Sequence, residues 1–324
     1  MDIFDLYDVS LPQRLIEYLS YASTIRGRSP GTTKNYKGDL KLFLKFTKKL
    51  KTRSNEDISL IDISDIDDEF LRKITLTDMH MFFNYVTTTR KNKIAARARK
   101  TASIRAFFDY LERKAKILTY NPARELESPK TEKRNPIYLT LDESKDLLNS
   151  VNGVHKERDY CITVLFLNCG LRISELVSID ITNIKNDLLT VIGKGNKERT
   201  VYLNDACIEA IQDYLEVRLE PKNEEDANAL FISSNRKRIS TDAVRKFLNK
   251  YFLESGLTGK RYTPHKLRHT AATLLYKYGH VDIRTLQQIL GHENVSTTQI
   301  YTHVDEEQLR EAVKANPLAE FTKK

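Results

Sequence analysis

This 324-residue chain is short of the features that mark a membrane protein, a secreted protein or a metal site. No apolar run approaches the roughly 18 residues needed to span a bilayer, so no helical membrane anchor is expected. No basic segment followed by an apolar stretch opens the chain as a signal peptide would. Cysteine is scarce: Cys161, Cys169 and Cys207 have no ligand or disulfide spacing. Cys161 and Cys169 flank an apolar run (CITVLFLNC) and read as buried thiols. There is no internal repeat and no low-complexity segment. These absences together lead us to expect a cytoplasmic protein with no membrane partner. Two local absences matter as well. Residues 90–105 carry no acidic side chain, and residues 54–70 carry no basic one.

What is present is positive charge, and it is unevenly placed. The formal net charge is +9. Residues 1–130 hold 25 Lys+Arg against 17 Asp+Glu, a surplus of 8, and the remainder holds 28 against 27, a surplus of 1. A surplus concentrated at one end points to a polyanion partner, and to nucleic acid before a lipid surface, since no apolar anchor accompanies it. The stretch RKNKIAARARKTASIR (residues 90–105) is the densest basic segment. Helical spacing places Arg97, Lys100 and Thr101 on a flank opposite Ile104, Phe107, Phe108 and Leu111, so that flank, with Arg105, is expected to lie on phosphates. The alternative is a merely solvated helix face. The acidic stretch NEDISLIDISDIDDEF reads as a loop away from DNA.

Apolar periodicity gives a mainly α protein with a small antiparallel sheet. Helices are expected over 11–24 and, after turn residues Ser29–Gly31, through the lysine-rich segment that follows. Another begins at a capping pattern, Thr75–Asp78. The basic helix should end at Asn121–Pro122, because proline disfavours the helical state before it. The polar, proline-bearing LESPKTEKRNP reads as a linker. We therefore expect an N-terminal helical domain (1–128), a linker (129–137) and a larger domain (138–324). The larger domain should begin with a capped helix from Thr140, followed by a core helix stopped at Gly170. DLLTVIG and RTVYL alternate as two strands around a glycine-bearing turn with Lys194. Asn204–Leu219 reads as helix, LFIS as a strand and Thr241–Glu254 as helix. Together the two domains would close around a duplex.

Six polar residues stand out by position. Arg172 follows the glycine break, and Lys194 lies in the hairpin. His265 and Arg268 share one helix face, His292 ends the LGH helix, and Tyr301 comes nine residues later. A tyrosine phenol, with a pKa of about 10, is a poor nucleophile at neutral pH and needs a base or a strong positive field. Guanidinium forks match pairs of phosphate oxygens in a way that a lysine cannot. A lysine can hand a proton to a departing hydroxyl. The set therefore suits attack of a tyrosine on a phosphodiester. His265 and His269 have zinc-helix spacing, but Lys266 stands where a metalloprotease needs Glu.

CGLRISEL, GKGNKER, HKLRHTAATLLYKYG and LGHENVSTTQIY followed by TH resemble, in order, the boxes of the tyrosine recombinase (phage integrase) family, in particular its Xer-like members. RKTASIRAFFDYL with NPA resembles the family's SAM-like core-binding domain. The resemblance implies an enzyme that cuts and reseals DNA through a 3′-phosphotyrosine and exchanges strands through a Holliday junction. It implies that Arg172 and Arg268 clamp the scissile phosphate, His292 bonds it, Lys194 is general acid, His265 assists as acid or base, and Tyr301 is the nucleophile. Lys197 and Arg199 would lie near phosphate or in solvent, and Glu175 would orient a basic neighbour. The family uses no metal and no nucleotide cofactor. Its partners would be duplex DNA with inverted-repeat half-sites and three further copies of the chain, with tails exchanged between protomers. A second recombinase or an accessory protein stays open. So do two other activities on the same framework, a topoisomerase-like nicking-closing enzyme and a non-catalytic DNA-binding regulator. The acidic segment 54–70 departs from compact Xer proteins as an insertion. The segment before residue 11 has no room for an arm-binding domain.

Overall fold

The computed structural model describes residues 8–129, 137–193, 197–257, 262–279 and 281–291. The chain forms two compact units, Met1–Lys133 and Arg134–Lys324. The fold is mainly α with one small sheet, and no helix among the described residues is long and apolar enough to cross a membrane.

In the first unit, α1 (Gln13–Thr24), α2 (Pro30–Thr52), α3 (Asp68–Arg72), α4 (Leu76–Thr88) and α5 (Ile94–Arg113) surround an aromatic core. Phe43 and Phe82 meet edge to face at 5.2 Å between centroids, with Phe107 and Phe108 beside them. Ser29 is not a turn before α2 but its N-cap, with Pro30 as the first helical residue. Proline is suited to that place, where no N–H is needed and φ is already helical. Thr75 and Asp78 form the capping box expected of α4. Helix α5 ends at Arg113, well before Pro122, which instead opens a 3-10 turn capped by Asn121. Leu118, Ala123 and Leu126 bring this segment back to the core.

The acidic stretch is a loop as far as Asp67, its last residues open α3, and it has a role in the fold. Its isoleucines Ile61, Ile63 and Ile66 are buried, while its carbonyls and Asp65 accept from the lysines of α2. Lys48 donates to the Asp62 carbonyl at 2.9 Å and to Asp65 at 2.5 Å, Lys45 to the Ser59 carbonyl at 2.5 Å, and Lys49 to the Glu56 carbonyl.

The second unit is built on α7 (Lys156–Cys169), buried nearly all round and packed on α9 (Asp205–Glu216) and α11 (Pro264–Tyr278). The other elements are α6 (Leu141–Asn149), α8 (Ile173–Val177), α10 (Thr241–Glu254) and α12 (Ile283–Leu290). Three antiparallel strands run in chain order: β1 (Ile184–Lys185), β2 (Leu188–Ile192) and β3 (Glu198–Tyr202). The β2–β3 register pairs Val191 with Arg199 and Ile192 with Glu198. The segment LFIS is no strand; it makes one isolated bridge, Ile232 with Arg238, and Ala229 just before it makes another with Asp180. All three cysteines are free and buried. They are less scattered than the sequence suggests, for the Cys169 and Cys207 sulfurs lie 3.8 Å apart.

Candidate active site

The site is organised by the end of α7. Gly170 caps that helix in the left-handed conformation at φ +57°, and a Cβ there would lie 2.8 Å from Leu290 Cδ2 and 3.5 Å from Ala271. Only glycine meets both demands without strain or displacement. The turn delivers Arg172 to the start of α8, where Glu175 lies one turn on. One Glu175 oxygen accepts from the Arg172 backbone N–H at 2.8 Å and from Arg199 Nη2 at 2.9 Å. The other accepts from Arg172 Nη1 at 2.5 Å. Arg268 Nη1 is 3.9 Å from the same carboxylate. Burial alone would raise the Glu175 pKa, but the charges and hydrogen bonds of Arg199 and Arg172 outweigh it and hold the carboxyl below its ordinary range.

The same three arginines also take the end of α12. Arg199 Nη1 donates to the Ile289 carbonyl at 2.6 Å, Arg268 Nη2 to Leu290 at 2.5 Å, and Arg172 Nη2 to Gly291 at 3.1 Å. A helix leaves its last carbonyls without intrahelical partners and carries partial negative charge there, so cations are the fitting cap. Arg268 Nη1 also donates to the Gly170 carbonyl at 2.6 Å, which closes the ring back to α7. Gly291 caps α12 in the left-handed conformation at φ +62°.

The structure thus brings Arg172 and Arg268 together as the sequence implied. The Arg268 side chain is 2 % exposed and that of Arg172 34 %. His265 stands one turn before Arg268 on α11, and its ring meets that of His269 edge to face at 4.5 Å. Loss of water and then the charges of Arg268 and Arg172 lower the His265 pKa. His269 is lowered to about 4, by desolvation first and then by His265 and the nearby cations. Lys194, His292 and Tyr301 lie outside the described residues, as does the tail after them. The hairpin that carries Lys194 is closed by a hydrogen bond from Gly193 N–H to the Lys197 carbonyl at 2.7 Å. A Cβ on Gly193 would be 3.7 Å from Glu175, so the base of this hairpin abuts the arginine cage.

Several expected DNA contacts are placed otherwise. Lys100 does not stand on a solvent flank. It is buried against Asp39 of α2 at 2.5 Å, beside Arg99 at 2.5 Å on the other oxygen. Thr101 is buried and bonds the Arg97 carbonyl. The physical reason is the helical repeat: Lys100, Ile104, Phe107, Phe108 and Leu111 form one stripe, and that stripe faces the core. Arg97 is half-buried and donates to the Thr87 hydroxyl at 3.2 Å. Arg105 and Lys197 are exposed. Arg199 is neither solvated nor open to phosphate, being held by Glu175 and α12. The partners of Glu175 are two arginines at once, which spacing alone did not reveal. Its position three residues after Arg172, at the start of a helix, was the available signal.

Residues 138–308 match the Phage integrase family, and residues 15–74 match the phage integrase N-terminal SAM-like domain. The chain is 57 % identical over 312 residues to a tyrosine recombinase XerC of Caldanaerobacter subterraneus subsp. tengcongensis, covering 95 % of this chain and 88 % of that protein. It is 32 % identical to a tyrosine recombinase XerC of Leptospira interrogans, covering 96 % and 95 %. Among solved structures it is similar to the XerH site-specific recombinase bound to its difH substrate, with a TM-score of 0.67 and 22 % identity, covering 93 % of this chain and 84 % of that one.

Proposed function

Because the chain belongs to the phage integrase family of tyrosine recombinases, we propose that it cleaves and rejoins DNA at specific sites through a covalent 3′-phosphotyrosine on Tyr301. The observation that carries this reading is the cage of guanidiniums around Glu175, with Arg172 and Arg199 bonded to it and Arg268 3.9 Å away, set at the helix end that directly precedes His292. Each arginine has five N–H donors. Arg172 directs its two terminal nitrogens to Glu175 and to the Gly291 carbonyl, and its side chain keeps an exposed edge. That edge, with Arg268 behind it, suits a phosphate whose non-bridging oxygens gain charge in the transition state.

In this mechanism the Tyr301 phenol oxygen attacks phosphorus and the 5′-oxygen leaves with a proton from Lys194. His292 bonds the phosphate, and His265 serves proton transfer. The energy of the broken bond stays in the phosphotyrosine, and attack by the 5′-hydroxyl of a second strand returns it through a Holliday junction. The reading calls for no metal and no nucleotide. Its partner is duplex DNA with inverted half-sites, and its assembly is four copies linked by their tails. The two domains 1–128 and 138–324 divide the work, with Arg97, Arg105 and Lys197 as candidate backbone contacts. The test is a nicked substrate of the cognate site run on a denaturing gel. Wild type should form a protein–DNA adduct, and Tyr301→Phe should bind DNA yet form none. An adduct surviving in Tyr301→Phe removes this residue from the role.

A further inference from the structure

The β2–β3 hairpin is joined to the rest of the unit by one unusual side chain. Arg199 lies on β3 opposite Val191, five residues after Lys194. Its side chain is only 13 % exposed. One terminal nitrogen donates to Glu175 on α8 and the other to the Ile289 carbonyl at the end of α12. Its Cδ and Nε fill the space beside Gly291, where a Cβ would come within 2.6 Å of Cδ. Its Nε is buried and has no partner among the described residues. A buried donor without an acceptor detracts from what the two terminal contacts contribute, so burial of an ion pair is not the whole account of why a guanidinium stands here. Its geometry is a better one: a planar fork meets two acceptors on two elements at once, which a lysine cannot do.

We propose that Arg199 is a positioning residue. It latches the hairpin to the end of α12 and thereby sets where the turn carrying Lys194 stands against the scissile bond. Arg199 acts through the strand it sits on. The inference rests on the recombinase reading and on a proton donated from the hairpin.

The experiment compares Arg199→Met and Arg199→Lys with wild type by melting temperature, half-site affinity and single-turnover adduct formation. Two nicked substrates are used, one ordinary and one with sulfur in place of the bridging 5′-oxygen. A thiolate leaves without a proton, so the second substrate bypasses the general acid. Arg199→Met, which takes a charged partner from the buried Glu175, should melt lower than wild type, and Arg199→Lys should stay nearer to it. In both variants half-site affinity should hold, and the rate on the oxygen substrate should fall about a hundredfold, the usual worth of a placed general acid. The rate on the sulfur substrate should stay within a few-fold of wild type. Near-normal rates on oxygen, or an equal loss on both substrates, overturn the latch. Wild type forming no adduct on either substrate refutes the recombinase reading itself, which is a separate result.

Discussion

Glu175 and His269 both lie in this cationic corner and shift in opposite senses: Arg199 and Arg172 hold Glu175 charged, whereas loss of water, then His265 and Arg268, act on His269. The carboxylate is favoured in its charged form, and the imidazole is driven toward its neutral form. For His269 the sign is definite. Its folded pKa of about 4 lies below the ordinary imidazole value of 6.5, so between these values the unfolded chain binds the extra proton. Stability therefore falls as pH drops through that window. Melting followed from pH 7 to pH 4 should show the decline, and His269→Gln should flatten it; an unchanged slope in the variant would assign the decline to carboxylates alone. At this scale the sequence was partly legible. Arg172 and Arg268 announced themselves through a glycine break and a shared helix face. Arg199 did not, because its acceptor on Ile289 is ninety positions away in the chain. A contact that distant leaves no trace in local spacing.

Helices α2 and α5 show how a charge pattern misleads. A basic run with no acidic residue reads as a phosphate-binding flank, yet its central lysine is turned inward onto Asp39. Periodicity gave the helix and its stripe; what it could not give was a carboxylate waiting on another element, sixty-one positions away. Such a pair is costly to break from one side. Asp39→Asn should cost about 3 kcal/mol in urea unfolding, since it leaves a buried ammonium uncompensated, whereas Asp39→Leu with Lys100→Met should cost much less. Equal losses in the two proteins would show that the pair is not a coupled unit. The acidic loop teaches the same lesson in reverse. Its composition set it apart from the basic helices, but its work in the fold is to bury three isoleucines and to accept from the lysines of α2. The strand expected at LFIS failed because an apolar run needs a partner ladder, and this one meets only an isolated bridge.

For the whole molecule, two units and a mainly α plan follow from helical periodicity and a charged, proline-bearing stretch between them. The assembly does not follow from either unit alone. The tail DEEQLREAVKANPLA spaces Leu309, Ala312 and Val313 as one apolar face. Isolated helices under about 12–15 residues are marginal in water, so this face needs a groove. A second copy is the proposed owner. Truncation after Asp305 should leave half-site binding intact and abolish cooperative filling of the full site in a band-shift titration. A truncated protein that still fills both half-sites cooperatively and recombines them would deny the tail that role. The cage itself bears on how the chain is made. Its three arginines are supplied at positions 172, 199 and 268, and the carbonyls that hold them come at 289, 290 and 291. During translation the basic residues emerge long before their anchors. A ribosome must pass Gly291 before any of the three is held at this helix end, so a chain abandoned earlier carries the arginines without the helix end that seats them.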